Sequence, residues 1–189
     1  MTPQRYAGFS VFARKIVICF FVPLKSMTIN VEERELRAMK LFRDGYNCCQ
    51  SVVLAFSDVV SERTGLSEEQ IIAVTSGFGG GFARLREVCG SVSGMTFMAG
   101  VISPAPAAEQ PKRAANYALV QELAAQFREL NGSIVCRELL GLRAAQIDSP
   151  TPSVRTPDFY KVRPCERLIG SAARLVARKL QAEDITDNY

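Results

Sequence analysis

Apolar residues recur at helical spacing along most of the chain after Asn30, and no segment alternates with the two-residue period of a strand. Capping signals mark several helix starts, including Asn30 followed by Glu33 and Ser67 followed by Gln70. Helices of ordinary length are predicted to begin near Asn30, Asn47, Ser67, Gly90, Ala108 and Pro164, and a short one holding Cys136 follows a Ser133 cap. The pattern therefore predicts an all-α fold, a single compact domain of about six helices.

Glycine and proline interrupt this pattern at three places. Residues 77–81 read Gly-Phe-Gly-Gly-Gly and predict a glycine-rich loop, where the backbone can adopt positive φ or approach another segment closely. Gly90 and Gly94 lie one turn apart in a predicted helix rich in small residues, which indicates tight packing against a neighbour. Residues 142–162 contain three prolines and predict a long loop before the last helix.

The chain of 189 residues fits one domain, which we assign to residues 28–183, followed by a tail over residues 184–189. Residues 16–22 form an apolar run much shorter than the ~20 residues of a membrane-spanning helix, so no integral membrane segment is predicted. We interpret residues 1–27 as an extension from a misassigned start, with Met27 as the working start. An export signal is the alternative, although residues 23–26 offer no small-x-small cleavage site.

The chain contains no histidine, and this absence excludes several kinds of catalytic and metal-binding site. Ser-His-Asp catalysis, Cys-His catalysis and histidine-ligated haem or zinc are thereby excluded. The 23 basic and 19 acidic residues are scattered and tryptophan is absent, so no nucleic-acid surface is predicted. Six cysteines are too few for a disulfide-dense secreted scaffold, and we expect reduced thiols in the cytoplasm.

The cysteines are the leading candidates for reactivity. The first turns of predicted helices contain Cys48, Cys136 and Cys165, where unpaired backbone N–H groups and a partial positive charge favour a thiolate and lower its pKa. Several arginines near cysteines in the sequence could act in the same direction: Arg84, Arg86, Arg137, Arg163 and Arg167. A buried cysteine that only packs is the alternative for each residue, and the spacing alone does not decide between them.

Several spaced motifs together resemble the redox-active family named C_GCAxxG_C_C after its cysteine pattern. The resemblance covers about residues 34–182 and rests on residues 45–52, 77–81, 89–94 and 132–141 and on Cys165. It implies that the family's four cysteines correspond to Cys48, Cys89, Cys136 and Cys165. Ser91 stands where the family has alanine, and Cys49 lies outside the set as a candidate substitute ligand.

The resemblance implies a redox role through an iron–sulfur cluster or another metal, with an oxidoreductase or a transporter as partner. Four thiolates in a chain without histidine match all-cysteine ligation of an iron–sulfur cluster, with zinc as the alternative. Metal-free thiol–disulfide exchange and a non-catalytic helical interaction module remain open as other functions.

Overall fold

The computed structural model describes residues 29–106, 108–142 and 149–186, and the side chains of residues 184–186 are outside the description. The described residues form helices and turns with no strand, so the predicted all-α fold is confirmed. The helices are α1 (Val31–Arg43), α2 (Cys48–Leu54), α3 (Ser57–Thr64), α4 (Glu68–Thr75), α5 (Gly79–Phe82), α6 (Gly90–Ile102), α7 (Gln110–Asn131), α8 (Cys136–Leu139), α9 (Pro157–Val162) and α10 (Cys165–Thr186), with a 3-10 turn at Ser76–Phe78.

Local capping explains several of these boundaries. Asn30 accepts a hydrogen bond from the Glu33 backbone and begins α1, while Ser67 and Gln70 form a reciprocal capping box at α4. Gly45 has a φ of 112° just after α1, a conformation that glycine adopts readily at the end of a helix. These elements agree with the sequence because each signal acts within one turn of chain.

The core lies where α1, α2, α6, α7 and α10 meet. The most extensive helix contacts join α1 to α10 and α2 to α6. Phe56, Met95, Phe127 and Ile169 are fully buried there. Burial of such apolar surface is the main favourable term in folding and fixes the helix arrangement around the site.

The contact between α2 and α6 depends on the absence of side chains at Gly90 and Gly94. A Cβ atom at Gly94 would lie 2.7 Å from Val52 Cβ, and one at Gly90 would lie 2.9 Å from Cys48 Cβ. Both separations are too short for real carbon contacts. The tight packing predicted from the glycine spacing is therefore present, and it sets the start of α2 against the start of α6.

Three details of the predicted arrangement differ in the structure. The predicted second helix is divided at Ala55–Phe56 into α2 and α3. The end of the predicted proline-containing loop folds as α9, because Thr156 caps it and Pro157 occupies its first turn. Ser133 does not cap α8, whose cap is Val135; the Ser133 hydroxyl instead accepts a hydrogen bond from the Val135 backbone.

The glycine-rich segment forms a compact turn that joins α4 to α6. Gly80 and Gly81 have φ angles of 65° and 71°, in the left-handed region that glycine adopts readily. Phe82, Ala83 and Arg84 continue in the same region with φ angles of 56°, 47° and 73°. Consecutive non-glycine residues pay a conformational penalty there, so surrounding contacts must hold the turn.

The proposed extension over residues 1–27 lies outside the described residues, as does Cys19 within it. Helix α10 continues to Thr186, into the segment assigned as a tail, and residues 187–189 are also outside the description. No helix among the described residues combines the length and apolar character needed to cross a membrane.

The close approach of α2 and α6 predicts opposite effects of alanine at two glycines of the same helix. Gly94→Ala should destabilise the protein by about 1–3 kcal/mol, because the new methyl group overlaps Val52. Gly100→Ala should be neutral or stabilise by up to about 1 kcal/mol, since nothing lies within 4 Å of its Cβ and alanine favours helix. Urea unfolding measures both, and equal effects at the two positions would contradict the packing described.

Candidate functional site: a cavity lined by cysteines

Four cysteines from four different parts of the chain line one cavity of about 500 Å³. They are Cys48, Cys89, Cys136 and Cys165, the same four that the family resemblance selected. The structure thus brings together the predicted site residues. The most distant pair, Cys48 and Cys165, lies more than a hundred positions apart in sequence. A shared cavity means that the four sulfurs experience one another's charge.

Each cysteine stands at the start of a helix. Cys48, Cys136 and Cys165 are the first residues of α2, α8 and α10, as predicted. Cys89 immediately precedes α6 at its N-cap position, which the sequence left open. The cavity is therefore surrounded by helix N-termini, whose free N–H groups and dipoles favour negative charge.

Backbone hydrogen bonds hold Cys89 beside Cys136. The Cys89 N–H donates to the Ile134 carbonyl at 2.8 Å, and the Cys136 N–H donates to the Glu87 carbonyl at 2.6 Å. An isolated antiparallel bridge between the neighbouring residues Val88 and Val135 results. This pairing joins α6 to α8 without a sheet and fixes the distance between two of the four cysteines.

The glycine-rich turn closes another side of the cavity. Gly81 approaches Cys136 so closely that a Cβ atom would lie 2.7 Å from Cys136 Cβ. Asn47 caps α2 by accepting from the Cys49 and Gln50 backbones, and its amide donates to the Ser76 carbonyl at 3.0 Å. The close approach to another segment that the sequence predicted for this run is therefore present, and the glycines form the wall against which two cysteine-bearing helix starts pack.

Residues 149–156 run across the cavity as a strap, with Pro150, Pro152 and Ser153 in its wall. At one end Arg84 donates to the Ser149 carbonyl at 2.5 Å and to the Ser153 hydroxyl at 3.2 Å. At the other end Arg155 of the strap donates to the Tyr46 carbonyl at 2.8 Å. Two arginines thus anchor a segment that would otherwise leave the cysteines more open to water.

Burial opposes the predicted stabilisation of thiolates. It raises the pKa of Cys89 to about 12 and raises that of Cys136 above its ordinary value, because a charged sulfur loses hydration inside the protein. The pKa of Cys48 lies well above its ordinary value, chiefly because its thiol donates a hydrogen bond to Cys165 and also because it is buried. The prediction of lowered pKa values from helix starts is therefore wrong for Cys48 and Cys136.

The pKa of Cys165 is lowered, as predicted. The hydrogen bond from Cys48 stabilises the Cys165 thiolate and lowers its pKa, although burial acts against it. A negative charge on Cys89 or Cys136 would raise the pKa of Cys165 again. Among the four cavity cysteines, Cys165 is consequently the one whose thiolate is most favoured.

Arginines supply the positive charge near these sulfurs. Arg86 is only 6% exposed and lowers the pKa of Cys136 through a hydrogen bond, although burial outweighs it. Arg163 acts on Cys136 and Cys165, and Arg155 acts on Cys48. Arg155 was not among the arginines selected from the sequence, because it lies ten positions before Cys165 and more than a hundred after Cys48.

The remaining arginines near cysteines in sequence are engaged elsewhere. Arg137 forms an ion pair with Glu87, and Arg167 donates to the Asn131 side chain at 3.0 Å. Arg84 holds the strap. Proximity in sequence therefore identified the charged neighbours of the site only in part.

Cys49 occupies a different environment from the four cavity cysteines. It is 1% exposed, packs in the apolar core and is absent from the residues that line the cavity. Burial raises its pKa to about 12. Cys49 therefore provides an internal comparison for experiments on the other four.

Ser91 is a polar residue of the site that sequence reasoning read only as a small replacement for alanine. It is fully buried, lines the cavity and is the second residue of α6. Its hydroxyl has no hydrogen-bond partner within the ordinary limits of distance and angle. Its backbone N–H and its hydroxyl lie beside the Cys89 sulfur, where both favour the thiolate.

The arrangement of donors also limits which metal could bind without rearrangement. Among the residues that the structure describes, no three cysteine or carboxylate side chains are placed to hold one metal ion together. Four sulfurs nevertheless face a single cavity. The described geometry is thus that of a cavity with sulfurs around its wall and not of a closed single-ion site.

A comparison with known protein families gives one match, to the family described as "Putative redox-active protein (C_GCAxxG_C_C)", over residues 46–179. The matched range contains all four cavity cysteines and covers more than half of the chain. No curated protein and no solved structure matches the chain significantly.

The pKa directions predict an order of thiol reactivity in the reduced, metal-free protein. Iodoacetamide at neutral pH should modify Cys165 first, because its pKa is lowered and it is partly exposed. Cys49 and Cys89 should react only after unfolding, since both are buried and their pKa values are about 12. Peptide mass spectrometry over a time course gives the order, and early modification of Cys89 would contradict it.

Proposed function

The chain belongs to the C_GCAxxG_C_C family of redox-active proteins, and on that premise we propose that its four cavity cysteines ligate an iron–sulfur cluster that transfers electrons. The observation that carries the proposal is the convergence of Cys48, Cys89, Cys136 and Cys165 on one cavity. Four cysteines are the usual complete ligand set of such clusters. We place the protein in the cytoplasm, where free thiols persist, and propose an oxidoreductase or a transporter as the partner.

The donor chemistry supports a bound cation. Burial and the neighbouring sulfurs raise the pKa values of three of the four thiols, so four thiolates together are unfavourable in this cavity. Metal binding replaces thiol protons with positive charge and thus removes that penalty. Arg86, Arg155 and Arg163 offset the negative charge that the ligated sulfurs retain.

The geometry favours a cluster over zinc. A tetrahedral zinc ion with Zn–S bonds of ~2.3 Å needs its sulfurs within ~4 Å of one another. No such group occurs among the described side chains. Four cysteines that line a cavity of about 500 Å³ would leave room for a cluster, which includes inorganic sulfide as well as iron. Zinc remains the alternative cofactor, and it would require the helix starts to move closer together.

When bound, the cluster would supply a one-electron couple. The chain's own residues perform the other tasks. The helix N-termini orient the four thiolates, and the strap over residues 149–156 limits access of water. Water exclusion strengthens every charge interaction in the cavity, including those of the three arginines.

The cluster proposal predicts a coloured protein that contains iron and acid-labile sulfide after anaerobic purification from iron-replete cells. Serine in place of Cys48, Cys89, Cys136 or Cys165 should in each case reduce iron and sulfide content severalfold, because each supplies one ligand. Cys49→Ser should retain the content, since Cys49 is not in the cavity wall. Visible absorption and metal and sulfide analysis provide the readout.

A colourless protein without metal under these conditions would reject the proposal, whereas stoichiometric zinc would favour the alternative ion. If the four variants lose only stability, by amounts that differ from site to site, the cysteines merely pack. That result would support the non-catalytic helical module.

A second function is favoured by the interaction between Cys48 and Cys165, which raises the pKa of Cys48 and lowers that of Cys165. The Cys165 thiolate would attack a disulfide substrate and release one thiolate. That departing thiolate would accept the Cys48 proton, and the Cys48 thiolate would then attack the mixed disulfide, release the second thiolate and form a Cys48–Cys165 disulfide. Two electrons pass from the cysteine pair to the substrate, so the step is metal-free thiol–disulfide exchange.

The exchange function predicts a different pattern of sensitive residues. In glutathione redox buffers, a reversible two-electron couple should be lost in Cys48→Ser and Cys165→Ser but retained in Cys89→Ser and Cys136→Ser. Thiol counting by mass spectrometry after acid quench measures the couple. Loss of the couple in all four variants would argue against a Cys48–Cys165 pair.

A further inference from the structure

The Ser91 hydroxyl is the polar atom of the cavity that neither proposed function explains. It is 0% exposed and has no hydrogen-bond partner of normal geometry. Burying a hydroxyl without a partner is unfavourable, and natural proteins rarely leave one unpaired. A buried serine at this position therefore needs a compensating interaction within the cavity.

Other hydroxyls near helix starts satisfy themselves through the backbone, and Ser91 does not. Ser93 donates to the Cys89 carbonyl at 3.3 Å and Ser51 donates to the Asn47 carbonyl at 2.8 Å, each four residues earlier. The carbonyl four residues before Ser91 belongs to Glu87, and it accepts the Cys136 N–H at 2.6 Å. The Ser91 hydroxyl is therefore left without a backbone acceptor, in a residue that lines the cavity next to Cys89.

We propose that Ser91 is a positioning residue whose hydroxyl donates a hydrogen bond to the Cys89 sulfur of the redox centre and raises the centre's reduction potential. The inference rests on the cluster function proposed above. Reduction adds one electron and increases the negative charge on the ligating sulfurs, so a donor at Cys89 stabilises the reduced state more than the oxidised state. The hydroxyl proton stays on Ser91 throughout, and no other bond changes.

The test is a potentiometric titration of the full-length, cluster-loaded protein under anaerobic conditions, with dithionite as the reductant and visible absorption as the readout. A hydrogen bond of ordinary net strength changes an equilibrium about fivefold. Ser91→Ala should therefore lower the ratio of reduced to oxidised protein about fivefold at a fixed potential, or shift the midpoint by about −40 mV at 59 mV per tenfold for one electron. Ser91→Thr should retain most of the wild-type potential, because it keeps the hydroxyl.

Ser93→Ala is the matched control, since its hydroxyl lies on the same helix and bonds to a backbone carbonyl. Its midpoint should equal that of the wild type. Thermal unfolding of the metal-free proteins distinguishes this role from a purely structural one. If Ser91 were purely structural, its replacement by alanine would lower the unfolding temperature. Ser91→Ala should unfold at the same temperature or a higher one, because it removes a buried hydroxyl that lacks a good partner.

An unchanged midpoint in Ser91→Ala, or an equal shift in Ser93→Ala, would overturn the inference while leaving the cluster in place. A wild-type protein without any iron or sulfide would overturn the cluster proposal and, with it, this inference. A midpoint shift in Ser91→Ala with wild-type iron content supports it. Alanine is smaller than serine and introduces no steric overlap, so the variant is expected to fold.

Discussion

The close approach of α2 and α6 is the constraint on which the cysteine cavity depends. Two glycines on α6 allow the helix backbones to meet without side chains between them, with Gly90 against Cys48 and Gly94 against Val52. This contact brings the start of α2 to the start of α6, where Cys89 lies. Any larger side chain at these positions would separate Cys48 from Cys89, so tight packing in the core and the geometry of the site are one requirement.

The electrostatics of the cavity follow from two opposing effects. Helix starts and arginines favour negative sulfur, whereas burial and the presence of four sulfurs together oppose it. The balance lowers the pKa of Cys165 and raises the pKa values of the other three cavity cysteines. A cavity that favours one thiolate and disfavours three others is suited to taking up positive charge, and this is the physical basis of the cluster proposed above.

Two parts of the cavity wall come from segments that have little regular structure. The glycine-rich turn contributes left-handed backbone beside Cys136, and the strap over residues 149–156 is held by the side chains of Arg84 and Arg155. Such segments bury few apolar side chains of their own, so their position depends on polar contacts to the helical core. Access to the sulfurs is thus controlled by parts of the molecule that are less firmly packed than the helices.

The sequence by itself determined the helical class and the helix starts that carry Cys48 and Cys165, because capping by Asn47 and the position of Pro164 act over a few residues. The resemblance selected the four cysteines, and only the tertiary structure showed that they line one cavity. Tertiary contacts also decided the pKa directions, the anchoring of Arg155 to residues more than a hundred positions away and the unpaired hydroxyl of Ser91. Burial and long-range contacts depend on how helices pack against one another, and no local pattern of residues encodes that arrangement.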